Sequence, residues 1–321
     1  MNDEQKTLWD YGAHAPGPPL SGHVLVGMDG SDEAVRALDH AAEEARIRRT
    51  PLEILHGWPW ARHGVPTAQP GKMDVQCLID KARSVLEFAA GRVHERVAGL
   101  DVVTTLSPEP AASELVRRGE GAALTVVGNR GLGRAAGLLA GSVSLRVAAH
   151  CGSPLLVVRG ESEQRKPAEG TVLVGVADDA DADAGAARFA FEEAHQLGAQ
   201  VRVLRMCSVP ELSGSLGAHP AGRLESEPKN LIRIQESEDA VPPTVVAVMR
   251  EKFPEVGVRI DTVWRDAAHA LVDASRAADT VVITAHHHSG RRSGRQLGPV
   301  EHALLHHAHC PVALVPVAWQ P

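Results

Sequence analysis

Val126-Val127-Gly128-Asn129-Arg130-Gly131, followed after nine intervening residues by Gly141-Ser142, is the stretch that decides the fold. The apolar run 124–127 reads as a buried strand. The glycine loop after it places no large side chain where the backbone must come close to something. Gly141-Ser142 then opens a helical segment, 143–150. The free N–H groups of a helix start, with the hydroxyls of Ser142 and Ser144, make a site suited to phosphate.

Working outward, the chain repeats. Val24-Leu25-Val26-Gly27-Met28-Asp29 is echoed by Val172-Leu173-Val174-Gly175-Val176-Ala177, and Ser153-Pro154-Leu155-Leu156-Val157-Val158 by Cys310-Pro311-Val312-Ala313-Leu314-Val315. Between these anchors, apolar runs alternate with amphipathic segments. Such alternation predicts βαβ units: an α/β chain of two tandem doubly wound sheets, five mostly parallel strands each. The expected units are 22–160 and 171–317, after an N-terminal tail (1–21) and around a polar linker (161–170). In the first unit the strands fall at 24–28, 52–55, 102–106, 124–127 and 155–158. Helices fall at 77–93, 111–118 and 143–150, and after Ser31, a natural N-cap with Asp32 and Glu33 in the first turn. The second unit carries a polar insert, 208–243, expected as a loop.

Hydrophobic residues make up 44% of the 321, ample for two cores, but aromatics only 3%, so the cores are Val, Leu and Ala. That composition suits parallel strands buried on both faces. The net charge of −7 argues against a nucleic-acid or acidic-membrane surface. The cysteines, Cys77, Cys151, Cys207 and Cys310, form no C-x-x-C pair, which fits reduced thiols and a cytoplasmic location. The opening residues carry no apolar h-region, so no secretory signal is expected, and no run of about 20 apolar residues is present.

Asp29 after an apolar strand, together with Gly128-x2-Gly131-x9-Gly141-Ser142, resembles the nucleotide-binding pattern of the universal stress protein family. The tandem arrangement is similar to its two-domain members. The resemblance implies a Rossmann-like fold of the adenine nucleotide alpha hydrolase type that binds ATP, with or without Mg, at the carboxyl ends of the strands. Carried over, Asp29 meets the adenosine end and the backbone at His56 and Gly57 touches adenine. The loop Gly128, Asn129, Arg130 and Gly131 lines the ribose-phosphate path, and Gly141, Ser142, Val143 and Ser144 hold the phosphates. Gly57 departs from the family, which more often has an aliphatic residue there. The implied function is nucleotide-dependent conformation or partner binding in stress response or signalling, with a protein partner that the sequence does not identify. The alternative is a nucleotide-independent scaffold with a vestigial motif. Family dimers pair their terminal strands, so the two halves are expected to form an intramolecular pseudo-dimer; a homodimer is a further expectation.

The second half lacks the motif. Ala177 stands for Asp29, and alignment through Pro154 and Pro311 puts Ala285 at Gly128, His288 at Gly131 and Pro299 at Ser142, with Gly298 retained. Proline removes an N–H and a hydroxyl from the phosphate cradle. Other readings are weaker. Gly131-Leu132-Gly133 sits too late in its repeat for a dinucleotide fingerprint, and no P-loop is present. His302 and His306 have metal-chelating spacing, yet no acidic partner completes an evident site, so solvated histidines are expected. No residue serves as an evident general base, so no catalytic residue is assigned and at most slow ATP hydrolysis is expected.

Overall fold

The computed structural model describes residues 19–57, 72–131, 141–159, 170–177, 183–207, 233–236, 244–264, 266–290, 294–317 and 319. The first half runs β1 (Val24–Gly27), α1 (Asp32–Arg48), β2 (Leu52–Gly57), α2 (Lys72–Arg96), β3 (Val102–Ser107), α3 (Ala111–Gly119), β4 (Leu124–Gly128), α4 (Ser142–His150) and β5 (Leu155–Val158). The second runs β6 (Thr171–Val176), α5 (Ala184–Leu197), β7 (Gln200–Cys207), β8 (Arg233–Glu236), α6 (Thr244–Lys252), β9 (Val258–Trp264) and α7 (Ala267–Ala274). It continues with β10 (Thr280–Ala285), β11 (His287–Gly290), β12 (Gly294–Leu297), α8 (Pro299–His307) and β13 (Val312–Pro316).

Both halves use one strand order. The first is β3-β2-β1-β4-β5, the second β9-β7-β6-β10-β13, and within each all neighbours are parallel. The apolar edge strands pair with each other: β13 lies antiparallel to β5, with Leu156 opposite Ala313. The result is one sheet of 11 strands among the described residues. A flat apolar edge left open would invite aggregation, and each half covers the other's.

Two differences from the sequence reading appear. The insert expected as a loop contains β8, which adds antiparallel to β9 and gives the second half a sixth strand. Beyond β10, the chain also forms a hairpin, β11–β12, at the place where the first half has its glycine loop. The linker, the N-terminal tail before residue 19 and most of the insert lie outside the described residues.

Alternate side chains of each strand go to opposite faces, as the two-residue period requires. Val24, Val26, Leu156, Val158, Val172 and Val174 join the layer under α1, α2 and α5. Leu25, Leu155, Val157, Leu173 and Leu314 join the layer under α3, α4, α7 and α8. Both layers run unbroken across the seam. Helix α1 shows how the sequence dictates packing. Ser31 caps it by accepting from the Ala34 N–H (3.2 Å), and Arg49 ends it in the left-handed conformation. Its buried stripe is almost all alanine, which brings its axis close to the sheet.

The layer under α3 holds a buried ionic network in the first half. Arg118 donates to Glu53 (2.6 Å) and Glu114 (2.7 Å), and the Thr105 hydroxyl donates to Glu53 (2.6 Å). His23 stands 3.1 Å from Glu53 but is aimed off the hydrogen-bond line. The strand register puts Arg202 and Asp261 of the second half at the positions of Glu53 and Thr105, and they pair at 2.6 Å. The same buried place is thus filled with the charge order inverted.

Candidate functional site

Strand order reverses direction between β1 and β4, so their carboxyl ends open a crevice in which open α/β sheets bind ligands. The site residues read from the sequence gather there. Asp29 follows β1 in a turn completed by Gly30, whose φ of +85° favours glycine. The Asp29 carboxylate accepts from the Ser31 N–H (2.9 Å) and the Ser31 hydroxyl (2.6 Å), so the α1 cap also orients the acid. Across the crevice, a Cβ built on Gly131 would overlap Asp29 Oδ2. Any larger residue at 131 would therefore displace the acid or fill the space beside it.

Gly128 faces another way. A Cβ there would lie 2.9 Å from the backbone carbonyl of Glu33, so this glycine lets β4 pack against the first turn of α1. Asn129 anchors the loop: its N–H bonds the Val158 carbonyl (3.0 Å), and its own carbonyl accepts from the Gly141 N–H (2.6 Å). That second bond closes the loop, bringing Gly141 back beside Asn129 although 132–140, which lie outside the described residues, separate the two ends of the described chain. Arg130 is exposed at the rim.

Helix α4 begins at this closure. Gly141 is its N-cap and contributes no side-chain hydrogen bond, so the N–H groups of the first turn are left for a partner outside the helix. Ser142 and Val143 are exposed there. Ser144 is not: it is buried, and its hydroxyl donates to the Gly141 carbonyl (2.9 Å), with the Asn129 carbonyl at 3.3 Å. In this structure Ser144 braces the loop, and Ser142 supplies the open hydroxyl.

On the β2 side, the His56 ring is buried and held 2.6 Å from the Met28 carbonyl, one residue before Asp29. Gly57 has a physical reason for lacking a side chain: a Cβ would overlap the backbone nitrogen and Cα of Ala111, the first residue of α3. The α3 N-terminus thus walls the crevice where the family has an aliphatic residue. Sequence reasoning missed this contact, since nothing local ties Gly57 to Ala111. It also missed Ser31 as the partner of Asp29, although the spacing of an Asp two residues before an N-cap serine was there to read.

The corresponding place in the second half is filled from within. Strand pairing corrects the alignment by one residue. Val24 pairs with Leu124 and Val172 with Thr280, so Thr284, not Ala285, stands at Gly128, and His287, not His288, at Gly131. The Thr284 hydroxyl donates to Asp183 (2.7 Å), and the other carboxylate oxygen of Asp183 accepts from the Ala177 N–H (2.6 Å). At the start of α8, Glu301 occupies the position of Ser144. Its carboxylate accepts from the His286 N–H (2.9 Å) and lies against Gly298. Asp183 and Glu301 are both buried. An acid in the first turn of a helix is favoured by the helix dipole, so α8 carries its own anion.

His302 and His306 stack with ring centroids 4.2 Å apart. Among the described residues, no group of three or more His, Cys, Asp or Glu could hold a metal ion. Cys151 and Cys310 are buried, and neither is in a disulfide. Among the described residues no helix is long and apolar enough to cross a membrane.

A tandem, mostly parallel α/β sheet with a glycine loop and an uncapped helix start at its switch point defines a doubly wound, Rossmann-like fold. The profile of the universal stress protein family matches this chain twice, over residues 21–159 and 170–316. The chain belongs to the universal stress protein family. A universal stress protein of Mycolicibacterium smegmatis is 27% identical over 300 residues, spanning 91% of this chain and 96% of its own length. One of Mycobacterium tuberculosis is 30% identical over 301 residues, spanning 90% and 94%. Among solved structures, a universal stress protein of Archaeoglobus fulgidus superposes with a TM-score of 0.62 over 93% of this chain and 99% of its own, at 15% identity, a likeness of fold.

Proposed function

We propose that the chain binds one adenine nucleotide, ATP by preference, in the crevice of its first half, and that occupancy tunes conformation or partner binding in stress response or signalling. The observation that carries this reading is Gly131 set directly against the Asp29 carboxylate, beside the uncapped start of α4. An acid facing a space that only glycine leaves open suits a ribose hydroxyl. Uncapped N–H groups suit phosphate oxygens. The residues therefore fit the ligand: Asp29 for the ribose, the backbone at His56 and Gly57 for the base, Gly128 to Gly131 along the path, and Gly141 to Ser144 for the phosphates. Gly128 and Ser144 act mainly by shaping the loop. The nucleotide supplies negative charge to the cradle and a rigid base to the wall. Mg would accompany the phosphates as their counter-ion. No general base is assigned, so hydrolysis is at most slow.

The units are taken as 22–160 and 171–317, with a cytoplasmic location and self-association through surfaces other than the β5–β13 seam. For the second half, the scaffold reading is favoured by a specific observation: Asp183 and Glu301 already satisfy the groups a ligand would meet. The test is direct. Purified full-length protein, denatured and chromatographed, should release adenine nucleotide, or should bind added ATP by calorimetric titration. Protein that carries none and binds none contradicts the proposal.

A further inference from the structure

Arg159 leaves β5 at the seam between the halves, next to the glycine loop, because Asn129 is bonded to the preceding Val158. Its guanidinium crosses to the second half. Nε donates to the Ala308 carbonyl (3.2 Å) and Nη2 to the His306 carbonyl (2.7 Å), capping the negative end of α8. The third nitrogen, Nη1, is buried without a hydrogen-bond partner, and so is His306 Nε2. Among the described residues Arg159 forms no ion pair with a carboxylate. Its charged neighbours include Arg130, and His306 is flanked by His302, His307 and Arg159. Burial, and then repulsion from Arg130, pull the Arg159 guanidinium down to about 10, against an opposing pull from Cys310. Burial and then His302, His307 and Arg159 likewise push the His306 imidazole below its usual range.

A buried cation without a counter-charge is costly, and native proteins pair such groups or bind an ion to them. Two orphan nitrogens on one seam, one of them on a guanidinium that faces Arg130, call for an acceptor that is itself negative. We propose that Arg159 and His306, with Arg130, form an anion subsite at the seam, which takes a phosphate group supplied by the tail of the nucleotide held in the first half. The second half would then contribute to its neighbour's ligand what it no longer binds for itself. The nucleotide source rests on the proposed function; the anion subsite does not. A free phosphate offers the same chemistry, so the experiment separates the two.

The full-length protein, with Arg159→Gln and His306→Gln variants, is titrated calorimetrically with AMP, ATP and inorganic pyrophosphate, after thermal melts confirm folding. Wild type should favour ATP over AMP by about ten-fold or more, the scale of one charge-assisted contact. Each variant should narrow that preference by up to about ten-fold while its AMP affinity stays within about two-fold. An ATP-to-AMP ratio unchanged in both variants overturns the proposal, leaving Arg159 as a helix cap only. If no adenine nucleotide binds, the proposed function fails and pyrophosphate decides alone. Binding to wild type that both variants weaken keeps the subsite, with free phosphate as its ligand. Absent or insensitive pyrophosphate binding removes it. Should Arg159→Gln not fold, His306→Gln, which keeps the carbonyl that Arg159 caps, carries the test.

Discussion

The two crevices of this protein are built on one strand order yet meet their hydrogen-bonding needs in opposite ways. In the first half, Gly131 lies directly against the Asp29 carboxylate and α4 starts uncapped. In the second, Thr284 and the Ala177 N–H share Asp183, and Glu301 lies at the start of α8. The second crevice is filled as core, with two buried carboxylates of its own. Loss of a ligand site in a parallel α/β sheet leaves strand-end N–H groups and a helix dipole unanswered. A fold that keeps the sheet must answer them internally.

The sharpest way to break this comparison is at Gly131. Gly131→Val would drive its branched Cβ into the Asp29 carboxylate, and we expect ATP affinity to fall by about 100-fold or more, with the fold retained. Isothermal titration beside circular dichroism measures both. A folded variant that binds normally would place the ligand elsewhere.

Arg118 gives the largest expected effect on stability. Arg118→Met leaves Glu53 buried without its cation and Glu114 with Arg117 alone, and denaturant melts should show a loss of about 3–5 kcal/mol. The Arg202–Asp261 pair of the second half, in which Arg202 is partly exposed, should be worth less when broken.

A paired substitution sharpens the contrast between the acids. Asp29→Ala should cost nucleotide binding and less than about 1 kcal/mol of stability, because its partner Ser31 still caps α1. Asp183→Ala should do the reverse: it removes the acceptor shared by the Thr284 hydroxyl and the Ala177 N–H, costs about 1–3 kcal/mol, and leaves binding untouched. Equal effects of the two on stability would show that the crevices are not opposite in kind.

Acid should act on the first half through the same network. Burial pulls the Glu53 carboxyl upward. The close approach of His23, the Thr105 hydroxyl and Arg118 outweigh it, so Glu53 sits below the ordinary 4.5. Glu114 is lowered likewise, burial being outweighed by Arg117 and Arg118. A depressed carboxyl stabilises the fold fully above its unfolded value, and the contribution fades as pH falls through its folded value. Stability should therefore be level above about pH 4.5 in this respect and decline below it, and Arg118→Met should flatten that decline. A melt series from neutral to acid pH in both proteins checks the slope.

Much of the fold was legible because the physics behind it is local. The strand 155–158 was read with the bounds it has, and Ser31 was read as the cap it is. The gathering of Asp29, Gly131 and Gly141 was legible through their spacing. What failed depended on contacts distant in sequence or on small offsets. The one-residue shift that puts Thr284 at Gly128 could not be seen, since Val-Val-Ile-Thr matches Thr-Val-Val-Gly and its neighbour register about equally well. Nothing in the sequence sets the carboxylates Asp183 and Glu301 apart from ordinary helix-start acids. Ser144 looked like Ser142, because which of two nearby hydroxyls turns inward is set by the loop closing through Asn129 and Gly141, not by residue type. Strand β8 was hidden in polar composition.

The central claim is asymmetry: one crevice open to a nucleotide, the other occupied by the protein itself. Calorimetric titration of the full-length chain, stripped of bound nucleotide, with ATP tests it most directly. A stoichiometry near one, abolished by Gly131→Val and unaffected by Asp183→Ala, is the predicted result. Two equivalent sites per chain, or one site that survives Gly131→Val, would contradict it.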